Sequence, residues 1–196
     1  MKKFISGGFT LIELLIVMAI LGVLAVVVLV AINPVQQLAR TRDAGRKSGV
    51  AQLGRALEAY YTSHGGRYLS ASNCGTGSPA TLREDWMNCL KESGELSTPA
   101  PSISYNTTLA NACTTQSVGG VRHVSHNGIC YTVQNTGGTP VVYARLESAS
   151  EASKCDPGGT DPYFVWSTAN GRGGLICLAS GSVPPPASIN TWNSKQ

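Results

Sequence analysis

From Leu14 to Ile32 the chain has 19 consecutive residues with no polar side chain. As a helix the run spans about 28 Å at ~1.5 Å per residue, close to the hydrocarbon thickness of a bilayer. One ionisable residue, Glu13, stands just before it, and Lys2 and Lys3 lie upstream. Basic residues on that side predict a cytoplasmic N-terminus and export of the remainder. The pattern then becomes amphipathic. Arg40, Arg42, Asp43, Arg46, Lys47, Arg55 and Glu58 supply a polar face, which reads as solvated or as a contact for lipid phosphates or a neighbour. Val50, Leu53, Leu57, Tyr60 and Tyr61 recur at helical spacing as an apolar stripe that needs a cover. Phe9–Ser63 therefore reads as one long helix in two halves, closed by His64-Gly65-Gly66. Gly22 and Pro34 are its weak points, and proline chemistry predicts a kink near Val30–Asn33.

Residues 65–128 carry little strand signal. One short helix is expected, capped by Ser78, with Pro79 at its first position and Gly94 at its end. Leu82, Trp86, Cys89 and Leu90 would share a face, which turns Cys89 inward near the Cys74 segment and suggests that these two cysteines pair. Four short β-branched or aromatic runs follow: Ile129–Gln134, Val141–Leu146, Tyr163–Ser167 and Leu175–Leu178. Gly137-Gly138-Thr139-Pro140 reads as the first hairpin turn. The expectation is an antiparallel sheet of three or four strands, packed by one face on the Val50–Tyr61 stripe, in an α+β head. Ser182–Gln196, with Pro184-Pro185-Pro186 and only Ile189 and Trp192 as core formers, reads as a surface tail.

Charged residues are only 13% of the 196, and 22 glycines with many Ser, Thr and Asn suit a loop-rich exported β domain. The net charge is +4, or +2 without Lys2 and Lys3, too little for a charge-driven nucleic-acid argument. All six cysteines (74, 89, 113, 130, 155 and 177) follow the apolar run, and an even number in an exported domain predicts disulfides, with fifteen connectivities open. There is no C-x-x-C, P-loop, dinucleotide fingerprint, HExxH or GxSxG. His123 and His126 lie three apart without further ligands in view. Asp156 and Asp161 sit in a turn-rich loop whose carboxylates and carbonyls suit a hard cation, without EF-hand spacing. Asn106-Thr107-Thr108 is the one N-x-S/T match.

An ordinary secretory signal has a shorter apolar core and a small-residue cleavage site after it, and Ala31-Ile32-Asn33-Pro34 offers none. A carboxylate at the edge of an apolar span needs a partner, and a free amine made by cutting after Gly8 would supply one. At this point Gly8-Phe9-Thr10-Leu11-Ile12-Glu13, behind a short basic leader, closely resembles the N-terminus of type IV pilins and of the pseudopilins of type II secretion. The resemblance implies a leader, residues 1–8, removed by a prepilin peptidase between Gly8 and Phe9. It implies N-methylation of Phe9, and pairing of Glu13 with a neighbour's N-terminal amine during assembly. It implies a helix over 9–63, with 14–32 crossing the inner membrane before assembly, and a disulfide-rich head over 64–196. Ala56-Leu57-Glu58-Ala59-Tyr60-Tyr61 followed by Gly65-Gly66-Arg67-Tyr68 is also similar to this family, although Leu69 stands where many relatives have proline.

The resemblance further implies a C-terminal disulfide, here Cys155–Cys177, closing a loop over the sheet edge. Cys113 and Cys130 are then the remaining pair of a sequential pattern. Major pseudopilins often hold calcium in C-terminal loops, which makes Asp156 and Asp161 the calcium candidates; no other cofactor is expected. The implied function is that of a non-enzymatic structural subunit of an extracellular type IV pilus. Its roles would be adhesion, twitching, DNA uptake or cell contact, with DNA a partner only in uptake. Its partners would be further copies of itself, the peptidase, an assembly platform and assembly ATPases. The alternatives are a secretion pseudopilin or minor pilin and, from another class, a membrane-anchored exported binding protein.

Overall fold

The structure, a computed structural model, describes residues 8–77, 81–105, 109, 112–118, 121–133, 139–155 and 160–184. The chain divides into two units, one ending at Leu38 and one beginning at Ala39. The first unit holds helix α1 (Leu11–Ile32) and the opening of helix α2 (Pro34–Ser63). The expected single helix is thus interrupted, and the interruption is one residue wide. Asn33 takes the left-handed conformation, φ 44° and ψ 76°, and ends α1. Asparagine tolerates that region better than most residues. Pro34 has no N–H to lose at the first position of α2 and its fixed φ suits a helix start. The new helix end is satisfied by Asn33, whose backbone oxygen accepts from Gln36 N–H at 3.0 Å. At Gly22, by contrast, the helix is not interrupted and α1 runs on. The neighbours of Gly22 all favour the helix, and one glycine costs only about 1 kcal/mol.

In the second unit, α2 ends at Ser63 with Gly65 and Gly66 at φ +64° and +74°, a glycine-made stop. A two-residue hairpin follows, β1 (Gly75–Thr76) with β2 (Thr81–Leu82), and then helix α3 (Met87–Glu92). The expected helix therefore starts later than its cap signal. Ser78 and Pro79 lie outside the described residues, and Thr81 and Leu82 are held in the hairpin. Its other end is as expected, with Gly94 at φ +85° and Gly94 N–H donating to Lys91. Leu82, Trp86, Cys89 and Leu90 are all buried.

The sheet has six strands among the described residues, not three or four. They are β3 (Gln116–Val118), β4 (Val121–His126), β5 (Ile129–Val133), β6 (Val141–Arg145), β7 (Thr160–Ser167) and β8 (Arg172–Ala179), antiparallel and in chain order. β3 and β4 carry Gln, Arg, His and Ser where a core strand should be apolar, so the periodicity hides them. Both histidines of β4 find partners: His123 is buried with its Nδ1 2.9 Å from the Tyr143 hydroxyl, and His126 Nδ1 accepts from Met87 N–H at 3.1 Å. Between β6 and β7 lie helix α4 (Ala149–Ala152) and a 3-10 turn, Ser153–Cys155. Gly137 and Gly138 of the expected hairpin turn lie outside the described residues.

Period-2 alternation divides the sheet residues between two faces. Val50, Leu53, Ala56, Leu57 and Tyr60 of α2 pack with Val124, Ile129, Tyr131, Val142 and Ala144 and with α3. Tyr61 leaves this stripe; it is 39% exposed and stacks on Tyr68 at 4.5 Å. The opposite face joins Cys130, Val141, Tyr143, Tyr163, Val165 and Ile176, and Val183 covers part of it. The start of the tail is thereby held down, with the Tyr163 hydroxyl donating to Ser182 O at 3.0 Å. The disulfides are Cys74–Cys89, Cys113–Cys130 and Cys155–Cys177, with Cα separations of 6.0, 5.3 and 5.4 Å.

Gly54 is dictated by close approach. A Cβ on Gly54 would stand 2.1 Å from Trp166 Cγ, and that indole is fixed by donating Nε1–H to Glu58 at 3.0 Å. Gly54→Ala should therefore destabilise the head by about 2 kcal/mol. Overpacking of roughly 3 kcal/mol is offset by up to ~1 kcal/mol of helix propensity. Urea unfolding with a red-shifted Trp166 fluorescence would register it; an unchanged midpoint would refute the packing argument.

Candidate functional site

Two clusters of polar side chains are built on α1 and α2. The first is the start of α1. Thr10, extended at φ −80° and ψ 150°, is its N-cap. Thr10 Oγ1 accepts from Glu13 N–H at 3.3 Å, and Glu13 Oε2 accepts from Thr10 N–H at 2.8 Å and from Thr10 Oγ1 at 2.7 Å. This is a reciprocal capping box, so the carboxylate satisfies a helix-end N–H that would otherwise lack an acceptor. Gly8 and Phe9 precede it, exposed, Phe9 at 70%. Behind it no residue of α1 is buried. Its 22 residues rise about 33 Å, long and apolar enough to cross a membrane. A helix apolar on every side requires lipid or other apolar helices around it.

The second cluster lies where the sequence predicts a solvated face. Asp43 and Arg46 are buried, at 2% and 0% exposure. Asp43 accepts from Arg46 Nη1 at 2.9 Å, from Glu147 N–H at 3.0 Å and from Ser148 N–H at 2.8 Å. Arg46 also donates to Arg145 O at 3.3 Å and Ser104 O at 3.2 Å, reaches Glu147 Oε2 at 3.2 Å, and lies 4.4 Å over the Tyr105 ring. Arg42 pairs with Glu147, and Lys47 with Glu151 at 2.6 Å. Hydrogen bonding from Lys47 and Lys154 outweighs burial and holds the Glu151 carboxyl below its ordinary range. Sequence reasoning missed Glu147, Ser148 and Glu151 as partners. It also missed that Ala39, Asp43, Arg46, Val50, Leu53, Leu57 and Tyr60 alternate spacings of four and three, which places the Asp–Arg pair on the core stripe.

The described metal-candidate residues, Asp161, His123 and His126, each have a protein partner. Asp161 is buried and accepts from Arg145 Nη2 at 2.5 Å, while Asp156 lies outside the described residues. His126 Nδ1 accepts from Met87 N–H at 3.1 Å, and His123 faces Tyr143. Three residues apart on β4, the two imidazoles fall on opposite faces. Among the described residues no three His, Cys, Asp or Glu side chains are grouped to hold a metal ion.

Burial pushes the His123 imidazole down to about 4. Below its unfolded value of ~6.5 the unfolded chain binds a proton that the folded chain refuses, so stability is intact above pH ~6.5 and falls as pH drops toward 4. Roughly 2 kcal/mol should be lost over that window. Thermal melts from pH 7 to 4 should show it, and His123→Gln should flatten most of the slope. His126, lowered mainly by burial, and the Glu151 carboxyl, held low by its lysines, add to the loss in the same direction. An unchanged slope in His123→Gln would assign the acid sensitivity elsewhere.

Comparison with known proteins adds two matches. The prokaryotic N-terminal methylation motif matches residues 5–29. The type IV major pilin protein PilE1 of Neisseria gonorrhoeae is 29% identical over 190 residues, covering 93% of this chain and 96% of that protein. No solved structure matches significantly. The motif covers the segment that holds the capping box and α1, and the similarity to PilE1 extends over most of the head. The chain carries a prokaryotic N-terminal methylation motif and is similar over most of its length to a type IV major pilin.

Proposed function

We propose that the chain is a structural subunit of an extracellular type IV pilus. The reading rests on α1, a 22-residue apolar helix with no buried residue, whose lone carboxylate, Glu13, stands four residues after Phe9 in the Gly8-Phe9 pair. α1 anchors the precursor in the inner membrane. A prepilin peptidase cuts between Gly8 and Phe9, and Phe9 becomes the methylated N-terminus. Its amine pairs with Glu13 of a neighbour, α1 helices bundle as the filament core, and the heads form the outer surface. A membrane platform and cytoplasmic ATPases drive extraction. Similarity to a pilin over most of the chain favours this over a secretion pseudopilin, whose relatives share the N-terminal segment.

The test is the N-terminal peptide of filaments sheared from the native host, read by mass spectrometry. N-methyl-Phe9 in a sheared fibre is the expected result. A methylated chain confined to the membrane fraction would favour the pseudopilin or minor-subunit alternative. A working protein that keeps Met1–Gly8 would leave a membrane-anchored exported domain as the reading.

A further inference from the structure

The first half of α2 is a poor helix by composition. Between Pro34 and Gly49 it contains two glycines, Gly45 and Gly49, besides Thr41 and Ser48, and none of its residues before Ala39 is buried. Unwinding from a helix end costs little per residue where side chains have no tertiary contacts. The first apolar residue with full core burial is Val50, at 0% exposure. On apolar packing alone, fraying that begins at Pro34 would run to Val50. Between those points stand Asp43 and Arg46, tied by charge-assisted hydrogen bonds to two separate segments of the head. Those are the end of β6 at Arg145 with the following turn at Glu147 and Ser148, and the loop at Ser104.

We infer that the Asp43–Arg46 clasp is a stop for helix unwinding. It fixes the last turns of weak helix to the head, so that order in residues 39–49 depends on the head and not on what surrounds residues 9–38. The inference concerns α2 and the head alone and stands whether or not the chain polymerises. The clasp acts at a chosen point: Asp43 takes two main-chain N–H groups of the β6–α4 turn, a geometry a surface ion pair does not have. Arg42 with Glu147 and Lys47 with Glu151 add outer ties on the same stretch of helix. A chain whose N-terminal helix passes from one apolar environment to another can thereby change conformation up to Leu38 while its disulfide-stapled head keeps its fold.

Native-state hydrogen exchange on the full chain in detergent micelles tests this, reading amides 34–60 beside those of Tyr143 and Val165 in the sheet. In the unaltered protein, protection should rise steeply between Leu38 and Lys47. In Asp43→Ala the rise should move to about Val50, with amides 44–49 falling to the low protection of 34–38 while Tyr143 and Val165 remain well protected. Ser148→Pro, which removes one N–H donor to Asp43 from the turn side at a compatible φ of −74°, leaves α2 unaltered. It should reproduce a smaller loss, about threefold, at the same amides. A rise in protection that stays between Leu38 and Lys47 in Asp43→Ala, whatever the loss at Tyr143 and Val165, would overturn the inference, as would unchanged exchange at 44–49.

Discussion

Glu13→Gln should abolish filament assembly while leaving membrane insertion intact. The substitution is selective because of the capping geometry. A glutamine can occupy the same box with Thr10, accepting from its N–H through the amide oxygen. The helix start therefore survives, and only the charge is lost. If that charge pairs with a neighbour's amine in an apolar core, removing it leaves an ammonium buried without its counter-ion, a cost of about 3–5 kcal/mol per contact. At ~1.4 kcal/mol per decade that weakens each subunit contact a few hundredfold or more, enough to prevent growth of a fibre. Thr10→Ala supplies the contrast: it removes the cap, costs about 1 kcal/mol at the helix end and keeps the carboxylate, so assembly should be reduced but present. The readout is filament yield by electron microscopy beside precursor level in the membrane fraction. Normal fibres from Glu13→Gln would end the pairing proposal and restrict Glu13 to capping.

Arg46→Ala should be the most destabilising single change in the head. It strips the counter-ion from Asp43, whose side chain is 3% exposed, leaves Glu147 with Arg42 alone, and opens space beside Tyr105. Breaking a buried pair from one side costs about 3–5 kcal/mol. For a unit of this size each kcal/mol moves the midpoint roughly 2–4 °C, so Tm should fall by about 10–15 °C. The Asp43→Leu/Arg46→Met double variant removes both charges at similar volume and should recover a good part of the loss, because no carboxylate is left facing an empty site on α2. Calorimetry of the three proteins settles it. A loss under ~1 kcal/mol for Arg46→Ala would mean that water reaches Asp43 and that the cluster behaves as a surface network.

The local elements with local causes were legible in the sequence. Nineteen apolar residues determine an all-round apolar helix, Pro34 determines a break beside it, and Gly65-Gly66 and Gly94 determine two helix ends. The β-branched runs of β5 to β8 determine strands, and Gly8 to Glu13 determine the likeness to pilins. What the tertiary structure alone decided follows from partners distant in the chain. β3 and β4 are strands because the sheet and Tyr143 accept their polar residues, which no window of alternating hydrophobicity can reveal. Arg46 and Asp43 occupy stripe positions that read as polar face, because their partners, Glu147 and Ser148, lie about a hundred residues away. Asp161 meets Arg145 only because β6 and β7 pair, a contact that the turn-rich loop by itself does not reveal. A charge's own residue type sets what it costs to bury; only the fold sets whether a counter-charge is there to meet it.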